Sequence, residues 1–169
     1  MMQQTHLAAW DMMRLRHGIT LRLIDQFTDA QLASNPIAGM RTPIELLVHM
    51  YHGVEAFPAA ARDGKLAGGK ESEIAAGIKT KAQLLEYVKK AWAAGDSVAR
   101  QLTNAQLAQN VSTPWGDTFP GIAIVGFVYD EYLHHRGQLY AFLRTFGVEP
   151  VMLWDFDHSA AEFQPGVKA

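Results

Sequence analysis

Apolar side chains recur about every 3.6 residues in four stretches of this chain, which is the spacing of one face of an α-helix. The first stretch covers residues 5 to 27 and is followed by a segment that contains Asn, Pro and Gly. The second begins at Thr42-Pro43, because Thr is a favoured N-cap and Pro is tolerated in the first turn. Pro58 lies inside the second stretch and predicts a kink or an early end there. These patterns predict two long helices.

The third and fourth stretches also carry boundary signals. Thr80 and Gln83 form a capping-box pattern, which predicts a helix over residues 81 to 102. The fourth stretch runs from residue 120 to residue 146, and Gly147 with a proline shortly after it is typical of a helix C-terminus. No strand alternation of useful length accompanies the four stretches. The chain is therefore predicted to be all-α and to form a four-helix bundle.

The segments between the predicted helices show no clear apolar stripe. Residues 63 to 80 are rich in glycine, which predicts a connection with weak internal structure. Residues 103 to 121 are predicted to form a loop, in which Trp115 either covers the core or lines the mouth of a pocket. The tail beyond residue 150 is rich in aromatic residues, so its first half is predicted to pack on the bundle.

Length, composition and charge fit one globular domain. The 169 residues are 49% hydrophobic and 19% charged, so we expect a single domain over residues 1-169, with a short C-terminal extension to the bundle. The formal net charge of -2 and the scattered basic residues argue against binding to nucleic acid. No apolar run approaches the roughly 20 residues that cross a bilayer, and the N-terminus lacks a signal-peptide core. We expect a cytoplasmic protein without a membrane or nucleic-acid partner.

The fourth predicted helix carries Glu131, His134 and His135 within little more than one turn. Residues four apart lie on one helix face, so Glu131 and His135 form a pair, and His134 points about 100° away from His135. If the stripe of the second helix also faces the bundle interior, His49 meets this pair. Two imidazoles and one carboxylate can hold one divalent cation and leave positions open for water and substrate. The chain has no cysteine, so any metal must use such ligands.

Simpler interpretations exist for each of these residues. On spacing alone, Glu131 and His135 are as compatible with a surface pair as with a metal site. His6, His17 and His158 are expected to be hydrogen-bonded or exposed residues rather than ligands, as lone histidines usually are.

Four other residues near the cluster have predicted roles. His52 and His134 are expected to support the site from outside it or to lie on the surface, and the alternative is that one of them is itself a ligand. Arg136 is expected to pair with an acidic neighbour such as Asp130. Gly137 lies in mid-helix, where glycine costs about 1 kcal/mol relative to alanine, so it predicts a close helix contact.

A ferritin-like di-iron site is an alternative metal centre. Such a site needs two Glu-x-x-His motifs and two further glutamates. Glu131-x-x-His134 provides one motif, but the second helix contains Glu45-x-x-x-His49. The spacing therefore does not favour a di-iron protein.

Two segments resemble a known family. The stretch "EYLHHRGQLYAFLRTFG" resembles the last-helix signature of the DinB-like superfamily of bundle metalloproteins, and "TPIELLVHMYHGVEAF" resembles its second helix. The resemblance covers roughly residues 5 to 155 and implies a bundle of the up-down-down-up type. It also implies three metal-binding histidines, one in the second helix and an H-x-x-x-H pair in the fourth. His49 and His135 match two of these, and Glu131 stands where the third would be.

The resemblance implies chemistry on a small molecule. Family members with assigned roles are often metal-dependent transferases or isomerases that use a low-molecular-weight thiol, and dimers built on helix faces are common among them. Glu131 can replace imidazole as a harder ligand that suits Zn, Ni, Mn or Fe. We expect a metal-dependent thiol transferase or hydrolase that acts on a small electrophilic molecule as a homodimer. The alternative is a non-catalytic, stress-related ligand-binding or interaction bundle with a vestigial metal site.

Overall fold

A computed structural model describes residues 1–167, so the last two residues of the predicted domain lie outside the described residues. In chain order the helices and strands are α1 (Met2–Asp25), α2 (Asp29–Ala33), α3 (Pro43–Asp63), α4 (Glu71–Gly77), α5 (Lys81–Gln101), α6 (Asn104–Ala108), β1 (Asn110–Ser112), β2 (Thr118–Pro120) and α7 (Gly121–Thr145). A 3-10 turn (Ala161–Phe163) follows in the tail. The four long helices α1, α3, α5 and α7 form the bundle, which confirms the predicted all-α architecture.

Pairs of contacting residues show the relative directions of the long helices. Residue numbers rise together along α1 and α7, and along α3 and α5, so each of these pairs is parallel. They run in opposite senses along α1 and α5, and along α3 and α7, so these pairs are antiparallel. The contacting pairs are Trp10–Tyr129, Phe27–Phe146, Val48–Tyr87, Val54–Gly95, His6–Ala99, His17–Trp92, Tyr51–Tyr132 and Phe57–Phe127. The bundle therefore has the up-down-down-up order.

Capping side chains set where α3 and α5 begin. The hydroxyl of Thr42 accepts the Glu45 N–H, and the Glu45 carboxylate accepts the Thr42 N–H. Thr80 and Gln83 form the same reciprocal pair at the start of α5. These bonds satisfy donors that a helix N-terminus otherwise leaves without partners. At its other end α3 continues beyond Pro58, so the predicted early end of this helix is wrong.

Two connections are more ordered than the sequence predicts. Residues 63 to 80 contain α4, which packs against α3, so the prediction of weak structure is wrong for the second half of that segment. Residues 103 to 121 contain α6 and an antiparallel hairpin in which Val111 pairs with Phe119. A capping box between Thr103 and Gln106 starts α6 and gives the physical reason for its position. None of the described helices is both long and apolar enough to cross a membrane.

The first half of the tail packs on the bundle as predicted, and the second half packs on it as well. Met152 and Trp154, in its first half, are exposed. Phe163, in its second half, packs edge-on against His17 of α1, with ring centroids 4.9 Å apart. Arg22 of α1 also pairs with Asp155 at 2.7 Å. Val151 of the first half also packs against the core, and its N–H donates to Gln26 of the segment that follows α1. Both halves of the tail are therefore held on the bundle, although some apolar side chains of the first half stay in solvent.

A chain of hydrogen bonds crosses the core from α1 to α7. Nδ1 of His17 lies 2.7 Å from the Tyr51 hydroxyl, which lies 3.1 Å from the Tyr132 hydroxyl. Tyr132 uses its one proton on Thr20. Tyr51 therefore donates to Tyr132, and His17 donates to Tyr51 through Nδ1. Burial lowers the pKa of His17 to about 3, so the ring is neutral in the folded protein.

This buried ring predicts a loss of stability in acid. The free energy of unfolding should fall as the pH falls from 6.5 towards about 3, because in this window the unfolded chain protonates His17 and the folded chain does not. The loss from this group is up to about 1.4 kcal/mol for each pH unit. His17→Phe should reduce the slope measured by urea unfolding at several pH values. Burial also lowers the pKa of His6, so this residue should retain part of the dependence of stability on pH. An unchanged slope in His17→Phe would contradict the neutral buried ring.

Gly95 marks a close approach of α5 to α3. A Cβ at this position would lie 2.3 Å from the carbonyl oxygen of Val54, which is a backbone atom and cannot rotate away. We expect Gly95→Ala to lower the free energy of unfolding by about 1–3 kcal/mol in urea titrations. Gly126→Ala in α7 is the matched control, because its methyl group meets nothing within 4 Å. The free energy of unfolding of that control should rise by up to about 1 kcal/mol, because alanine has a higher helix propensity than glycine. Equal effects of the two substitutions would show that the helices are not in contact at Gly95.

Candidate metal centre

His49 on α3 meets Glu131 and His135 on α7 at one point between the two helices. Nε2 of His135 lies 3.0 Å from Oε2 of Glu131, and Nε2 of His49 lies 3.3 Å from the same oxygen. Each residue offers one ligand atom, and these three atoms lie within 4.8 Å of one another. Atoms bound to one small ion at about 2.0–2.2 Å are roughly 3–4 Å apart, so the two nitrogen–oxygen distances already suit such an ion. The structure thus brings together the three residues that the sequence selected, and their binding of a metal stays a prediction.

Each of the two histidines has an acceptor at its other ring nitrogen. Nδ1 of His49 lies 2.8 Å from Oε2 of Glu71, and Nδ1 of His135 lies 3.2 Å from Oε1 of Gln138. The amide nitrogen of Gln138 lies 2.9 Å from Nε2 of His134, which is consistent with this orientation of the amide. Acceptors in these places keep the proton on Nδ1 and turn the Nε2 lone pair towards Glu131. Metal-binding histidines are held in this way in proteins, so the residues present fit a bound ion.

The electrostatic setting favours a neutral ligand at His135. Burial lowers the pKa of His135, and the positive charge of a protonated His49 would lower it further, whereas the hydrogen bond with Gln138 and the charge of Glu131 oppose this change. The net direction is downward, so the ring is uncharged at pH 7 and its Nε2 lone pair is free to bind. Two neutral imidazoles and one carboxylate would leave a divalent ion with a net positive charge.

Sequence reasoning missed Glu71. This residue is the first of α4, and its Oε1 also lies 3.9 Å from Nδ1 of His52. The acidic residues at the start of α4 were a possible signal, but they are equally typical of any helix N-terminus. The contact with His49 depends on how the connection between α3 and α5 folds back on the bundle, and no local pattern shows that.

A pocket of about 440 Å³ opens beside the three grouped residues. Its walls come from α3, the connection after it, the hairpin and α7, and its lining residues are His49, His52, Gly53, Ala56, Phe57, Leu66, Ala67, Gly68, Gly69, Glu71, Pro114, Trp115 and Glu131. Trp115 is 56% exposed, so it lines the mouth of this pocket and does not cover the core. The described lining is mainly apolar and contains no lysine or arginine.

The histidines outside the cluster behave as the sequence predicts. Nε2 of His6 lies 2.8 Å from the carbonyl oxygen of Ala99, and His158 pairs with Asp155 on the surface. His17 is part of the buried chain of hydrogen bonds. His52 lines the pocket, and exposed His134 contacts the cluster through Gln138. The described contacts of His6, His17 and His158 thus confirm that they are hydrogen-bonded or surface residues. A supporting role of His52 or His134 stays a prediction.

Two predictions for α7 are wrong. Arg136 is 3% exposed and donates to the carbonyl oxygen of Leu153, 3.2 Å away, instead of pairing with Asp130. A methyl group on Gly137 would meet nothing within 4 Å, so no close helix contact explains that glycine. Both residues instead face the first half of the tail, whose path over α7 could not be read from the sequence.

Comparison with known proteins agrees with the fold. The DinB family model matches residues 1–165. The chain belongs to the DinB family. No curated protein gives a significant match to this family member.

Solved structures include several similar DinB proteins. A DinB-like protein from Bacillus cereus has a TM-score of 0.70 at 18% identity, with 90% of this chain and 99% of that chain covered. The DinB-like protein YjoA from Bacillus subtilis has a TM-score of 0.67 at 18% identity, with 82% and 91% covered. YfiT from Bacillus subtilis, described as a probable metal-dependent hydrolase with an unusual four-helix bundle topology, has a TM-score of 0.65 at 15% identity, with 84% and 88% covered. At these identities the likeness shows the fold alone.

Proposed function

We propose that this DinB-family protein is a metal-dependent hydrolase whose ion is held by His49, Glu131 and His135. The observation that carries the proposal is the convergence of two Nε2 atoms and one carboxylate oxygen from two helices, within 4.8 Å of one another. The description of YfiT as a probable metal-dependent hydrolase on the same fold adds support. Zn, Ni, Mn and Fe all suit ligands of these types.

The chemistry of such a centre follows from its ligands. A divalent ion supplies Lewis acidity, which lowers the pKa of water and polarises an electrophilic carbonyl or phosphoryl group. Three protein ligands leave coordination positions free for water and substrate. Glu71 holds the proton on Nδ1 of His49 and so orients that ring. His52 lines the pocket, where its imidazole can accept or donate a proton during hydrolysis.

The pocket favours a neutral substrate with an apolar group. Its described lining is mainly apolar and offers no lysine or arginine to a negatively charged molecule. A low-molecular-weight thiol that carries carboxylates would leave those charges unpaired in this pocket, and unpaired buried charges are unfavourable. Water is therefore the better nucleophile here, and hydrolysis of a small ester or amide is favoured over thiol transfer.

Metal-replete protein provides the test. Neutral esters and amides with small apolar groups should be hydrolysed by protein loaded with Zn, Ni, Mn or Fe, and not by protein stripped with a chelator. Addition of thiols should not increase turnover. A replete protein that binds an ion but shows no hydrolysis, and instead consumes thiol, would favour the transferase. A protein that binds no ion at all would be the non-catalytic bundle with a vestigial site.

The place of His52 in the pocket depends on Gly69. A Cβ at this position would lie 2.0 Å from Nε2 of His52, whereas a Cβ at Gly68 would meet nothing within 4 Å. Gly69→Ala should displace the imidazole and lower kcat by at least about tenfold, with metal content unchanged. Gly68→Ala should leave both quantities unchanged. Equal kcat values in the two variants would show that His52 takes no part in the reaction.

The remaining expectations are independent of this chemistry. A homodimer and a cytoplasmic location stay predictions, and sizing of the purified protein tests the first of them.

A further inference from the structure

A second cavity lies on the far side of α7, away from the candidate metal ligands. This tail groove has a volume of about 590 Å³ and lies between α1, α7 and the first half of the tail. Positions 136, 137 and 140 on α7 line it, and they are rotated by about 140–240° around the helix from position 131. The tail groove is therefore separate from the pocket proposed for hydrolysis.

Two arginines from different helices line the tail groove. Arg16 comes from α1 and Arg136 from α7. Arg16 is half-buried and Arg136 is buried. Burial lowers the pKa of Arg16, and the positive charge of Arg136 lowers it further. Within residues 1–167 neither guanidinium has a carboxylate partner. Two half-buried or buried cations side by side are unfavourable unless an anion joins them.

Hydrogen-bond donors in the tail groove also lack partners. Arg136 is 3% exposed, and Nη2 donates to the Leu153 carbonyl, but Nη1 has no partner among the described residues. The buried hydroxyl of Tyr140 also has none. Such buried donors are nearly always satisfied in proteins, by the protein, by water or by a ligand. Arginine forms strong, charge-assisted bonds with carboxylates and phosphates, so an anion suits both groups.

The other wall of the tail groove is apolar and exposed. Met152 is 64% exposed, Trp154 is 69% exposed and Leu133 of α7 is 44% exposed. These side chains lie around the same cavity as the two arginines. Clusters of exposed large apolar side chains mark binding surfaces. The tail groove thus combines an apolar rim with two arginines that have no carboxylate partner among the described residues. Its other charged lining residues, Arg144 and Glu149, pair with each other at 3.8 Å.

We propose that the tail groove binds a small amphipathic anion. Its carboxylate or phosphate head lies between Arg16 and Arg136, and its apolar body lies against Trp154 and Met152. The ligand class is a medium-chain or aromatic carboxylate, or the corresponding phosphate monoester, because both heads offer oxygens to the guanidinium groups. This site requires neither the metal nor the hydrolase activity.

Decanoate and phenyl phosphate serve as probes, with decanol as the uncharged control. Calorimetry of the full chain should show that decanoate binds at least about tenfold more tightly than decanol, as expected for a charge-assisted contact. Quenching of tryptophan fluorescence should accompany binding and should be largely lost in Trp154→Ala. The relative affinities of decanoate and phenyl phosphate then show which head the tail groove prefers.

Substitution of Arg16 separates this site from other cationic surfaces. Arg16→Gln should weaken decanoate binding by about 10–100-fold. Lys90→Gln removes the same charge from an exposed position of α5 and should have no effect. Metal content should be unchanged in both variants. A negative result for anion binding in the tail groove can therefore be told apart from a negative result for the proposed hydrolase activity.

Three results would overturn the proposal. The first is equal binding of decanol and decanoate. The second is decanoate binding that Arg16→Gln does not weaken. The third is a dimer that Trp154→Ala dissociates, in a protein that binds neither probe, because the tail groove would then be a contact between two copies of the chain.

Discussion

In His135→Ala and in His49→Ala, tight binding of a divalent ion is expected to be lost. Each substitution removes one of the three residues whose ligand atoms lie within 4.8 Å of one another, and the remaining two cannot hold an ion against a chelator. The loss should exceed the roughly 10–100-fold effect that is typical of residues outside the ligand set. Elemental analysis after dialysis, followed by titration against a competing chelator, measures it.

His134→Ala is the matched control for these variants. His134 is next to His135 in the chain but is exposed, and it contacts the cluster through Gln138. Its removal should leave metal content unchanged. Circular dichroism of all three variants separates loss of the ion from loss of the fold. Full metal occupancy in both His49→Ala and His135→Ala would rule out the centre.

Glu71→Ala is expected to weaken metal binding by about 10–100-fold without abolishing it. The carboxylate accepts the Nδ1 proton of His49 at 2.8 Å and so fixes both the tautomer and the ring orientation. Without it the ring can rotate, and Nε2 has to be ordered when the ion binds. The affinity of each variant is measured by the same chelator titration.

Two further variants show whether Glu71 acts by positioning His49. Glu71→Gln keeps an oxygen acceptor and should recover part of the lost affinity. Glu73→Ala, in the same helix, removes a carboxylate that pairs with exposed Lys70 and should have no effect. If Glu71→Gln binds the ion no better than Glu71→Ala, the amide oxygen does not hold His49. If Glu71→Ala behaves like Glu73→Ala, the contact with His49 is irrelevant to binding.

The bundle could be predicted because its signals are local. Thr42 and Thr80 start their helices through capping boxes that involve residues three positions away. The pair of Glu131 and His135 follows from the period of the helix. His49 follows from the interior stripe of the second helix, and the resemblance to the DinB family agrees with it. These residues lie in regular helices whose faces the sequence pattern determines.

The features that could not be predicted from the sequence depend on contacts between residues that are distant in the chain. Glu71 is 22 positions from His49, and it reaches that residue because α4 folds back along α3. Arg136 finds its partner 17 positions later, at Leu153, where the tail returns over α7. Both contacts are made by segments without a long apolar stripe, so hydrophobic periodicity gave no information on their paths.

The short helix α4 links metal affinity to local order. It is seven residues long and has no buried residue, so few apolar contacts hold it in place. Its first residue nevertheless orients His49. Binding free energy and the ordering of α4 are therefore thermodynamically linked, and an ion that tightens the centre must also protect the backbone amides of this helix from exchange. If the centre binds an ion, the connection between α3 and α5 would thus set how strongly the bundle retains it, although α4 contributes none of the three candidate ligand residues.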